Sequence, residues 1–299
     1  MRIAIVGTRG TLGATLDRQT RAAGHAVTAL NRPEHDMTDN AAIHRAIGEF
    51  GPDVVLHPAA YTDVDGAERE PAVAYAINGL GTRNVALACA AAGCALLYVS
   101  TNVVFDGTAD RPYNEWHPRS PLGVYGKSKA AGEIYVEHLL QKFYIARVSW
   151  LYGRTGDHFV HKITKAADAR GALNVVDDEI ATPTYAEDMA AAMLQLVTRP
   201  QPAYGWYHFV NEGECSRFAY TQRIMELTGR GSVPLTPVSY RSFQRPAPVP
   251  PYSTLVNTVG AADGIRLRPW EEALADYIAS APVLQRPPAG GLDATTGGV

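Results

Sequence analysis

Cysteine is scarce in this sequence. Only Cys89, Cys94 and Cys215 occur in 299 residues, and they show no paired spacing. That excludes a disulfide-stapled scaffold and a cysteine metal knot, and it implies buried free thiols in a reducing compartment. Long apolar runs are also lacking: none approaches the ~20 residues that span a bilayer. The opening residues 1–6 are too short for a signal peptide and run directly into a glycine turn. Basic runs are missing as well, and the formal net charge is -3. Nucleic acid and anionic membrane are therefore not expected as partners. These absences together predict a cytoplasmic protein.

What remains is enough to build a core, with 46% hydrophobic and 19% charged residues. Short apolar runs at 2–6, 26–30, 54–57, 96–100 and 144–148 alternate with helical patterns at 12–23, 40–50, 71–92 and 121–141. Buried strands punctuated by helices predict a Rossmann-type α/β fold, a parallel sheet wrapped on both faces. Gly24, Gly51 and Gly93 stand just past helix ends, where left-handed caps are expected. Beyond about residue 150 the rhythm loosens. Helices are predicted at 159–169, 186–196, 216–228 and 270–278, between proline-bearing loops. The sequence thus divides into a nucleotide-binding domain over 1–152 and a smaller substrate lobe over 153–284, some segments of which return to the first domain. Residues 285–299, rich in Gly, Pro and Thr, read as a flexible tail.

Gly7-Thr8-Arg9-Gly10-Thr11-Leu12-Gly13 follows the first strand and opens a helix. Glycines at this spacing let the backbone turn and approach a pyrophosphate, which the helix N-terminus attracts. The second strand ends at Leu30-Asn31-Arg32. An acid there would bind the ribose 2′-hydroxyl of NAD. Asn31 carries no such charge and Arg32 can pair with a 2′-phosphate, so NADPH is favoured over NADH. In the following His35-Asp36-Met37, the Asp36 carboxylate is placed to accept from the adenine amino group. Capping the next helix is its competing role, one that Asp39 or Asn40 can also fill. The third strand runs into Pro58-Ala59-Ala60-Tyr61-Thr62, where small residues let a cofactor cross the sheet edge. Asn78, an amide in an apolar helix, either supports the catalytic strand or packs the helix.

Tyr125 and Lys129 are four residues apart, hence on one helix face. A neighbouring ammonium favours a phenolate, which makes Tyr125 a proton donor to a developing alkoxide. Ser100 and Thr101 end the fourth strand, where open α/β sheets place ligand chemistry. Thr101, Tyr125 and Lys129 therefore form the candidate catalytic set for carbonyl reduction. Lys129 has the added role of holding the nicotinamide ribose.

These motifs resemble the extended short-chain dehydrogenase/reductases, and within them the dTDP-4-dehydrorhamnose reductase family. The resemblance is carried by 7–13, 59–68, Ser100-Thr101, Val104-Phe105-Asp106-Gly107, 121–129, 147–153, Thr182-Pro183-Thr184 and Arg245-Pro246-Ala247. It implies reduction of a 4-keto-6-deoxy sugar held as a nucleoside diphosphate. Thr62, Val64, Asn102, Val103 and Trp150 would line the sugar pocket, with Arg245 on the diphosphate. Three positions depart from the family. Asn102 and Val103 stand where the family has Asp and Tyr. Thr15 stands where some members carry a glutamate that helps bind a bridging magnesium, although Glu187 and Glu271 remain. The departure at Thr15 implies no metal and a monomer or weak homodimer. Two alternatives share the scaffold: a nucleotide-sugar epimerase or dehydratase, and a regulatory subunit resembling the beta subunit of methionine adenosyltransferase.

Overall fold

The computed structural model describes residues 1–243 and 245–285. The predicted tail falls outside these residues except for Gln285, whose amide donates to the Pro282 carbonyl at 3.0 Å. The first five predicted strands are present as β1 (Arg2–Val6), β2 (Ala26–Leu30), β3 (Val54–His57), β4 (Ala95–Thr101) and β5 (Phe143–Val148). A sixth strand, Gly205–His208, pairs parallel with β5 and was not predicted. It is short, and its first two residues are not buried, so it carries no continuous apolar run. The sheet order is Gly205–His208, β5, β4, β3, β1, β2, with every pair parallel.

Alternation along the strands feeds two cores. Ile3 and Ile5 face one side, packed with Leu12, Leu16, Met189 and Met193. Ala4 and Val6 face the other, with Ile43, Ile47, Val85 and Val136. The helix Ala186–Val197 covers the first face, so this later segment and the sixth strand return to the sheet. A third core forms around Tyr152, Tyr220, Trp270 and Tyr277, and a smaller one around Val104, Phe105, Tyr113 and Leu255.

The helical patterns are borne out with small shifts. Gly24, Gly51 and Gly93 all take positive φ, as the caps require. The run predicted as one helix over 71–92 contains a π-helical segment, Tyr75–Gly81. Its wider turn turns Asn78 into the protein. The helix that carries Tyr125 and Lys129 begins at Val124, not at 121. Gly123 supplies no side-chain cap there, and the Glu68 carboxylate instead accepts from the Val124 amide at 2.6 Å.

Candidate active site

Sheet order reverses between β1 and β3, which opens a crevice beyond their C-terminal ends. The glycine turn follows β1, and Ala59 follows β3, its amide bonded to the Val6 carbonyl at 3.1 Å. Gly7 has φ 95, and a Cβ there would press on Ala59. A Cβ on Gly13 would collide with the Gly7 carbonyl. Gly10 differs: its Cβ would meet nothing closer than 3.8 Å. The fold therefore requires Gly7 and Gly13, whereas nothing in the fold crowds Gly10. The helix Thr11–Ala22 starts at Gly10 without a side-chain cap or an acidic residue in its first turn. Its leading amides suit an anion.

A cavity of about 710 Å³ occupies this crevice. Its lining includes every expected cofactor residue: Gly7, Arg9, Gly10, Thr11, Leu12, Gly13, Asn31, Arg32, Asp36, Met37, Ala59, Ala60, Tyr61, Tyr125 and Lys129. Asn31 is committed to the turn, accepting from the Thr8 amide at 2.9 Å and donating to its hydroxyl at 2.8 Å. Arg9 and Arg32 are exposed at the cavity. Asp39 caps the next helix through the Ala42 amide, which relieves Asp36 of that role. One Asp36 oxygen accepts from Thr38 at 2.9 and 2.8 Å.

Thr101, Tyr125 and Lys129 all line this cavity. Burial pushes the Tyr125 phenol up to about 12, with the Thr101 hydroxyl pulling it the other way. Burial pulls Lys129 down to about 7, opposed by Glu133. The Lys129 Nζ donates to the Val99 carbonyl at 2.7 Å and lies 4.1 Å from the centre of the Tyr98 ring. The easing of Tyr125 ionisation expected from Lys129 is therefore not expressed in the protein alone. There, burial dominates, and the opposing pull comes from Thr101.

Two supports of this set had weak sequence signals. Asn78 binds both backbone groups of Tyr61, at 2.8 and 3.1 Å, and donates to the Ser128 hydroxyl at 3.0 Å. It ties the loop after β3 to the catalytic helix. Glu133, one turn beyond Lys129, is fully buried. Arg147 donates to its two oxygens at 2.9 and 2.7 Å, and Arg119 at 3.1 Å. Burial pushes the Glu133 carboxyl up, but the two guanidiniums hold it below its usual value. Its four-residue spacing from Lys129 was the available signal. His158, Asp157 and Gly156 also line the cavity, and nothing local marks them.

Of the expected sugar residues, Thr62, Asn102 and Trp150 line the same cavity. Val64 begins the short helix Val64–Arg69, and neither it nor Val103 is among the lining residues. Trp150 has φ 40, a left-handed conformation rare outside glycine and here held at a ligand cavity. The Arg217 guanidinium lies 3.4 Å from the centre of its ring. Arg217 lines a second cavity of about 720 Å³, with Phe159, Glu179, Tyr240, Arg241 and Arg245. Trp150 and Arg217 thus touch between the two cavities. Arg245 belongs to the second cavity and meets Asp65 at 3.3 Å. Glu187 is paired with Arg18 and Arg154.

A parallel sheet with a glycine crossing at its switch point, and a Tyr, Lys and Thr set beside it, defines a nicotinamide-dependent oxidoreductase of Rossmann type. The chain belongs to the RmlD substrate binding domain family, which it matches over residues 1–282. It is 40% identical to dTDP-4-dehydrorhamnose reductase of Mycobacterium tuberculosis, covering 93% of both chains. It is 36% identical to the spore coat polysaccharide biosynthesis protein SpsK of Bacillus subtilis, covering 93% of this chain and 96% of that one. Among solved structures it resembles dTDP-4-dehydrorhamnose reductase of Bacillus anthracis in complex with NADP. The TM-score is 0.90 and the identity 35%, over 93% of this chain and 99% of that one. UDP-glucose 4-epimerase of Thermus thermophilus, at 22% identity and a TM-score of 0.78, shares the fold.

Proposed function

We propose that this protein reduces the 4-keto group of a dTDP-4-keto-6-deoxy sugar with NADPH, as in dTDP-rhamnose biosynthesis. The observation that carries the reading is Thr101, Tyr125 and Lys129 converging in one cavity with the glycine crossing. The residues fit the cofactor: the low surface at Gly10 and the uncapped helix start suit the pyrophosphate, and the exposed Arg32 suits a 2′-phosphate. NADPH, when bound, supplies the hydride. Tyr125 gives its proton to the sugar oxygen as negative charge develops there. Its raised pKa keeps it a phenol at neutral pH, the form a donor needs. Thr101 orients that phenol from the end of β4. Lys129, anchored on the Val99 carbonyl, stands at the cavity wall, where Glu133 opposes the loss of its charge. Trp150 offers an apolar indole face for a deoxy sugar. The nucleotide goes to the second cavity, where Arg217, Arg241 and Arg245 supply cations for the diphosphate and Phe159, Tyr240 and Phe243 supply rings for the base.

Tyr125→Phe tests the mechanism. Turnover should fall by about 10²–10⁴-fold while NADPH binding, read by cofactor fluorescence, stays intact. A fully active variant would sink the proposed donor. Turnover of dTDP-4-keto-6-deoxy sugars, with product configuration read by NMR, identifies the sugar.

A further inference from the structure

Asn102 lines the active-site cavity, yet both ends of its amide are engaged by protein. Its Nδ2 donates to the Ser253 hydroxyl at 2.8 Å and approaches the Ser253 carbonyl at 3.4 Å. A backbone carbonyl only accepts, so this side of the amide is the NH2 group. The Oδ1 therefore faces Thr101, whose hydroxyl donates to it at 3.2 Å. A hydroxyl has one hydrogen and two lone pairs. With its hydrogen on Asn102, Thr101 only accepts, from the Val103 amide at 3.4 Å, whereas its downward pull on Tyr125 is that of a hydrogen bond given to the phenolate.

That arrangement suits the enzyme before proton transfer but not after it. Once Tyr125 is a phenolate it has no hydrogen to give, and it needs one pointed at it. We propose that Asn102 is a positioning residue: it stores the Thr101 hydroxyl hydrogen while Tyr125 is a phenol and releases it to the phenolate. In the transfer itself the Tyr125 O–H bond breaks and an O–H bond forms on the sugar alkoxide. The negative charge passes to Tyr125. The Thr101 hydrogen stays covalently on its oxygen and only changes acceptor. A neutral amide is a moderate acceptor and can release it. A carboxylate would hold it more strongly and would repel the phenolate as well. The other ionisable groups around this centre are Lys129 and Glu133 on the same helix, Tyr98 on β4 and His57 on β3. Among the described residues none of them hydrogen-bonds Asn102.

This inference rests on the reductase reading, and two variants of the full chain test it. Asn102→Asp keeps the shape, adds charge and strengthens the hold on the hydrogen. Asn102→Leu removes the store without adding charge. The alkaline limb of kcat should move up by about one pH unit in Asn102→Asp and down in Asn102→Leu, with KM for NADPH unchanged. A residue that merely supports the fold would lower activity in both without moving the limbs in opposite directions. A second readout does not need turnover: the carbon-13 signal of the Tyr125 ring carbon bearing oxygen, assigned by its loss in Tyr125→Phe. It should shift in opposite senses in the two variants. An unmoved signal in both, or limbs that stay with wild type, overturns the inference. A wild-type protein that turns over no keto sugar would instead sink the reductase reading and leave the signal to decide this one.

Discussion

Arg32 lies two residues beyond β2 with its side chain exposed at the cofactor cavity, beside an Asn31 already committed to Thr8. A charge-assisted bond to a 2′-phosphate is worth about 1.5–3 kcal/mol. Arg32→Ala should therefore weaken NADPH by roughly tenfold or more and leave NADH nearly unchanged, as read by fluorescence titration of each cofactor. Equal loss for both would refute the role. At this scale the sequence was informative where chemistry is local. Tyr125 and Lys129 announce themselves by spacing, and Asn31-Arg32 by following a strand. Ser253 could not be read in this way, because it lies 151 positions along the chain from Asn102. Arg147 opens a motif visible in the sequence, but its grip on Glu133 depends on β5 lying behind the helix Val124–Leu139.

Within the β1-to-helix crossing, three glycines that look equivalent in the sequence have different reasons to be there. Gly13→Ala should destabilise the protein by about 1–3 kcal/mol, since the added methyl collides with the Gly7 carbonyl. Gly10→Ala should keep the melting temperature and lose NADPH affinity. Thermal melts paired with cofactor titration separate the two effects, and wild-type affinity in Gly10→Ala would remove the pyrophosphate from this turn. Periodicity made the strands and most helices legible, because burial on two faces leaves continuous apolar runs. It did not reveal the π-helical Tyr75–Gly81, whose altered register comes from Asn78 reaching the Tyr61 backbone and Ser128. Nor did it reveal Gly205–His208, which needs β5 beside it to be a strand at all.

Across the whole molecule, three histidines are held neutral. Burial draws His57 down to about 3 and His158 to about 4, and burial with the Arg147 charge holds His208 well below 6.5. The unfolded chain takes up protons below about pH 6.5 that the folded chain refuses, so stability falls as pH drops through that value. The slope should be about 1 kcal/mol per histidine per pH unit, continuing toward pH 4 before His158 begins to protonate in the fold. Melting temperatures measured from pH 7 to pH 5 would check it, and a flat profile would show that these rings are hydrated. The second cavity was the least legible part of the molecule. Its lining is drawn from residues 122 to 251, and among these the sequence marks only Arg245 as a ligand contact.

The sixth strand has a consequence for how the chain is made. Synthesis delivers β1 to β5 within the first 148 residues, but the helix that covers one face spans Ala186–Val197 and the edge strand ends at His208. While the ribosome adds the next sixty or so residues, Ile5, Leu97 and Ala146 lack the cover they have in the finished sheet, and β5 offers an unpaired edge. Cutting the gene after residue 152 would freeze the chain in that state, giving an aggregating fragment instead of a free-standing nucleotide-binding domain.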